Sequence, residues 1–96
     1  MDIRTHVGEV TRWGVYPSGC RGRITVTAVK GKDSSFPVGS EVYVDEALLR
    51  GASLLKDGRD PIGLRVEFLP RENRRRPGRF YADLLCPERL GEAVAA

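Results

Sequence analysis

The sequence predicts an all-β chain of 96 residues, a five-stranded barrel in one domain. Three observations carry that expectation. Several short stretches alternate apolar and polar residues with the period of two that marks a half-buried strand, and they are rich in β-branched side chains. Clusters of glycine, proline, serine and aspartate separate them. Helical signal is nearly absent, which favours a sheet closed on itself over a layered α/β design.

Taken in order, Val7-Gly8-Glu9-Val10-Thr11-Arg12-Trp13 reads as strand one. Strict parity sets Val10 and Arg12 on the face opposite Thr11 and Trp13, unless a bulge shifts the phase, and Gly8 marks the sharp bend that a small barrel needs. Gly14 to Gly19, with two glycines, a proline and a serine, is a loop. Strand two follows, from Arg21 to about Val29, and the rest of the sheet is organised around it. It sets Ile24, Val26 and Ala28 on one face and Arg21, Arg23, Thr25 and Thr27 on the other. Lys30 to Ser35 is a polar turn.

Glu41-Val42-Tyr43-Val44-Asp45 is strand three, with both valines inward. Glu46 to Gly51 has the makings of one helical turn closed by its glycine. A long excursion over Ser53 to Gly63 leads to strand four, Leu64-Arg65-Val66-Glu67-Phe68, with Leu64, Val66 and Phe68 inward. Pro70 to Gly78 is the most charged segment. Phe80-Tyr81-Ala82-Asp83-Leu84 is strand five, with Phe80, Ala82 and Leu84 inward, and Pro87 ends it. The barrel thus spans residues 1–86, and 87–96 form a tail. The spacing suits an oligonucleotide/oligosaccharide-binding (OB-fold-like) barrel, with an SH3-like barrel as the rival.

Composition narrows the function. At 41% hydrophobic and 30% charged the chain is ordinary globular material. The net charge of +3 permits nucleic-acid binding without requiring it, so the placing of the charge decides. Two cysteines at long spacing and one histidine make no zinc pattern, and free thiols are expected over a Cys20–Cys86 disulfide. The start of the chain lacks a signal-peptide run, and no stretch approaches the ~20 apolar residues of a membrane span. A cytoplasmic protein without membrane association is the expectation.

Catalysis is not expected, nor a cofactor or metal. His6 reads as an exposed strand residue near the terminus, Ser18 and Cys20 lack a partnered base, and Asp57 and Asp60 read as turn formers.

Four stretches carry a resemblance. Gly8-Glu9-Val10-Thr11-Arg12-Trp13 resembles the opening of a cold-shock domain, and Glu41-Val42-Tyr43-Val44-Asp45 its second ribonucleoprotein motif. Gly63 to Phe68 resembles its fourth strand, and Tyr81-Ala82-Asp83-Leu84 its closing strand. The likeness runs in order over residues 7–85. It implies an OB-type barrel that binds single-stranded RNA or DNA by base stacking. The family's first ribonucleoprotein motif supplies two phenylalanine rings. At the matching place, Cys20 to Ile24, the residues Gly22 and Ile24 fit, while Arg21 and Arg23 stand where the rings would be. Asp45 stands in place of the family's histidine, and Tyr43 keeps an aromatic.

The expected site has two parts. Trp13, Tyr43 and Tyr81, with Tyr16, would stack on bases at about 1–3 kcal/mol per base. Arg12, Arg21 and Arg23, with Lys30, would meet phosphates or lie flat on bases. In the charged segment Arg74, Arg75, Arg76 and Arg79 would embrace the backbone. The competing reading pairs the strand arginines with Glu9, Glu41 or Asp45 and leaves the loop merely solvated. Asp45, which would repel phosphate, favours a protein-interaction module or a small subunit of a larger complex. Exposed edge strands leave a homodimer open as well.

Overall fold

A computed structural model describes residues 4–30, 36–55 and 59–88. Asp57, most of the polar turn expected over 30–35, and the tail beyond Glu88 lie outside the described residues. The described chain is mostly β. Its elements are β1 (His6–Tyr16), β2 (Gly19–Val29), β3 (Glu41–Asp45), α1 (Glu46–Gly51), β4 (Arg65–Glu72) and β5 (Phe80–Pro87). The strands form one sheet in the order β1-β2-β3-β5-β4, and β4 pairs back onto β1 so that the hydrogen bonding runs in a ring. Every pairing is antiparallel except β3 with β5, which meet in parallel at Tyr43 and Tyr81.

The period-two alternation holds on β3 and on β2 as far as Val26; there Thr27 is an extra residue opposite β1, so Val29 packs on the core in place of the expected Ala28. Ile24, Val26, Val42 and Val44 are buried, and with Val10, Val66, Phe68 and Ala82 they fill the inside of the ring. Each of the valine, isoleucine and phenylalanine side chains contributes about 1.5–3 kcal/mol by leaving water. The α1 segment is too short to hold itself together. Leu49 anchors it in the core, and the Asp45 carboxylate accepts the Leu48 N–H at 2.9 Å as its N-cap. Gly51 does not close it. The chain turns back at Ser53 (φ 58°), whose N–H reaches the Arg50 carbonyl at 3.0 Å.

Several expectations need correction. On β1, Val10 faces Ile24 but Arg12 faces Arg23, so Thr11 is an extra residue, a β-bulge. The bulge shifts the phase: Val10 is buried, Thr11 and Arg12 are both exposed, and Trp13 packs half-buried against the core. On β5, Leu84 adopts φ 54° and is exposed, and Leu85 takes the inward place. The register shift between Glu67 and Leu69 on β4 accompanies this change. Leu64 lies just before β4, which starts at Arg65 and runs on to Glu72.

His6 is fully buried, not exposed. Its ring stacks on Phe68 (centroids 5.8 Å apart) and meets Phe36 edge-on at 6.1 Å. Its Nδ1 lies 2.7 Å from the Thr5 hydroxyl and its Nε2 3.1 Å from the Phe36 carbonyl, so the ring's polar atoms are satisfied inside. Glu67 is also buried, and Lys30 reaches its carboxylate. That pairing commits the Lys30 ammonium to Glu67 rather than to the face that carries the arginines.

Candidate functional site

β1 and β4 pair only from His6 to Glu9 with Arg65 to Phe68. Beyond that the β1–β2 hairpin and the β4–β5 hairpin bound a depression of about 750 Å³. Arg12, Trp13 and Tyr16 enter it from β1, and Arg21 and Arg23 from β2. Tyr43 and Asp45 come from β3, and Phe80 and Tyr81 from β5. Asn73, Arg76 and Arg79 come from the turn between β4 and β5. Of the residues expected from sequence to form the site, Arg74, Arg75 and Lys30 do not line it, Lys30 being turned to Glu67.

Register explains the gathering. Arg23 faces Tyr43 and Arg21 faces Asp45 across β2 and β3, on the outward side. The Tyr43–Tyr81 pairing brings β5 alongside. The Thr11 bulge brings Arg12 opposite Arg23 and Trp13 opposite Gly22. Gly22 is needed there, because a Cβ on it would stand 1.8 Å from the Arg12 carbonyl oxygen. At Gly14 a Cβ would meet only the far end of the exposed Tyr16 ring, at 2.8 Å, which can move aside.

The guanidinium groups are in different states. Arg21 lies over the Tyr16 ring, 4.1 Å from its centroid, and donates to the Ser18 hydroxyl at 3.1 Å. The two contacts hold it over the ring face. Arg12 approaches Glu41 at 3.4 Å, but both side chains are well exposed, so the pair is worth little. Arg23, Arg76 and Arg79 have no ion-pair partner among the described residues. Arg71, by contrast, is paired with Asp83 at 2.5 Å.

Asp45 does not stand free against an anion. One oxygen caps α1 and the other accepts the Tyr43 hydroxyl at 3.2 Å. Burial pushes the Tyr43 phenol up from its ordinary pKa, helped by the charge and hydrogen bond of Asp45 and opposed by Arg21 and Arg23. Tyr43 is therefore a neutral ring at physiological pH.

The β4–β5 turn is firmly built. The Asn73 N–H reaches the Arg79 carbonyl at 2.8 Å, and its side-chain oxygen accepts the Arg75 N–H at 2.9 Å. Glu72 accepts the Gly78 N–H at 2.9 Å, and Gly78 sits at φ 85°, where glycine is unstrained. Phe80 and Asn73 were not evident from sequence as lining residues. Parity assigned Phe80 wholly to the core, and it does touch Phe36 there, with centroids 4.7 Å apart. The only hint was its position between Arg79 and Tyr81.

Elsewhere, Cys20 and Cys86 are free thiols. Asp60 accepts the Ile62 N–H at 2.8 Å, as a turn former does. Among the described residues no group of His, Cys, Asp and Glu is placed to hold a metal ion, and no helix is long and apolar enough to cross a membrane. Fold and site together define a class: an all-β chain with one ring-bonded sheet and a depression lined by arginines and aromatic rings. No protein-family model matches the chain, and no curated protein or solved structure matches it.

Proposed function

We propose that this chain binds single-stranded RNA or DNA in the depression, without cofactor or turnover. One observation carries the reading: Arg23, Arg76 and Arg79, none of them ion-paired among the described residues, share a single concavity with the rings of Trp13, Tyr43 and Tyr81. Like charges gathered without partners repel one another, and an anionic chain relieves that repulsion. The rings supply the stacking that unpaired bases offer and that a duplex withholds. Arg21, held over the Tyr16 ring, adds a planar group where the cold-shock resemblance would have a phenylalanine.

The strand order supports an OB-type reading of the sheet over an SH3-like one. β1, β2 and β3 run as a meander, β5 lies beside β3, and β4 returns to β1. The lone tryptophan supplies the test, since Trp13 lines the depression. Mixed-sequence single strands at low salt should quench its fluorescence saturably, and an equal-length duplex should do so much more weakly. Unchanged emission with the single strands would remove the reading.

A second reading rests on the β1–β2 tip, where Val15 is 81% exposed beside Tyr16. On this reading the exposed Val15 and Tyr16 side chains at that tip contact a protein, with the chain as a small subunit of a larger complex. Co-purification of one stoichiometric protein, with an absorbance spectrum free of nucleic acid, would favour it over the first.

A further inference from the structure

The β4–β5 turn carries more charge than the depression uses. Arg74 and Arg75 are exposed, lie outside the lining, and have no ion-pair partner among the described residues. They directly precede Arg76, which does line it. The nearest acid in the turn cannot neutralise them cheaply, because Glu72 is engaged with the Gly78 N–H. Nor is the turn a loose tether, since the Asn73 and Glu72 hydrogen bonds fix its backbone. Four guanidiniums within six residues, on a fixed turn, put cationic charge both in the lining of the depression and just outside it.

Resting on the reading of the depression as a single-strand site, we propose that the bound strand outruns it: the chain continues from Arg76 onto the turn, where Arg75 and Arg74 hold its next phosphates. Successive Cα atoms are about 3.8 Å apart, so Arg75 and Arg74, the residues next to Arg76, are within side-chain reach of a strand that leaves the depression past it. These two residues would then set the length of strand the protein prefers, and the depression would set its need for unpaired bases.

The test is a length series of fluorescein-labelled oligothymidylates, from about 3 to about 12 nucleotides, titrated by anisotropy into the full chain. Affinity should climb with length, and the salt slope should steepen by about 1.4, or two contacts at about 0.7 each. In R74Q/R75Q the ratio of long-strand to short-strand affinity should fall by roughly 10-fold, the scale of two lost phosphate contacts near 0.1 M salt. R74K/R75K should keep it, since both substitutions leave the backbone hydrogen bonds of the turn intact and lysine restores the charge. A ratio unchanged in R74Q/R75Q, or lost equally in R74K/R75K, overturns the inference while leaving the depression as a site. Failure of every length to bind the unaltered chain would overturn the underlying reading instead.

Discussion

Gly22 lies so close to Arg12 that a Cβ on the glycine would stand 1.8 Å from the Arg12 carbonyl oxygen. This close approach is where the bulged strand folds over β2, and it sets the positions of both Arg12 and Trp13. The blocking atom is backbone and cannot swing aside. Gly22→Ala should therefore cost about 1–3 kcal/mol, the range for overpacking. Urea unfolding followed by circular dichroism measures it, and the folded fraction should bind single strands more weakly because the bulge has moved.

Tyr43 separates stacking from hydrogen bonding. Tyr43→Phe keeps the ring and loses the hydroxyl given to Asp45 at 3.2 Å. Strand affinity should change less than 3-fold, whereas Tyr43→Ala should lose about 1–3 kcal/mol of binding, the scale of one stacked base. Anisotropy on both variants checks the contrast.

The same phenol gives a pH prediction. Its folded pKa is raised above the ordinary 10.0, chiefly by burial. Folded and unfolded chains both keep the proton below that ordinary value, so the contribution to stability is fully present there. As pH rises past it, the unfolded chain ionises first and stability falls until the folded phenol ionises too. Denaturant midpoints should drop on this alkaline limb, and Tyr43→Phe should flatten the drop.

Asp45 is a structural acid in a cationic place. Asp45→Asn keeps an oxygen for the Leu48 N–H and should leave stability within a few tenths of a kcal/mol, while Asp45→Ala should lose about 1 kcal/mol with the cap. Asparagine also removes a negative charge from the depression, so single strands should bind more tightly to that variant.

Glu41 is the outer counterpart of this effect. It holds Arg12 at 3.4 Å across two exposed side chains. Glu41→Gln should raise strand affinity by about 2-fold at low salt and by less at high salt, as expected of an exposed pair worth under about 1 kcal/mol.

Much of the sheet was legible because local pattern and burial agree. Glu41 to Asp45 alternates without a break, and β3 has those bounds. The gathering of Arg21, Arg23 and Tyr43 also followed from parity, since the irregularity on β2, at Thr27, lies beyond the residues that pair with β3. What stayed hidden depends on distant partners or on single backbone angles. No side-chain pattern marks Thr11 as the extra residue, so the phase of Arg12 and Trp13 was out of reach. The left-handed turn at Leu84 is taken by a residue that rarely adopts it, so parity named the wrong leucine as inward. His6 and Glu67 are buried because Phe36 and Lys30 cover them from far along the chain, and sequence position alone made His6 look terminal. The division of the charged segment had the same cause: the turn places Arg76 and Arg79 in the lining of the depression and leaves Arg74 and Arg75 outside it.

The central claim is that the unpaired arginines of the depression meet phosphates, and the salt dependence of strand binding tests it most directly. Three contacts at about 0.7 each give a slope of about −2 in log K against log salt for a strand short enough to fill the depression alone. Affinity should then fall roughly 20-fold between about 50 and 200 mM salt, and Arg23→Gln should make the slope shallower by about 0.7. A slope near zero, or no binding at the lowest salt, would contradict the account.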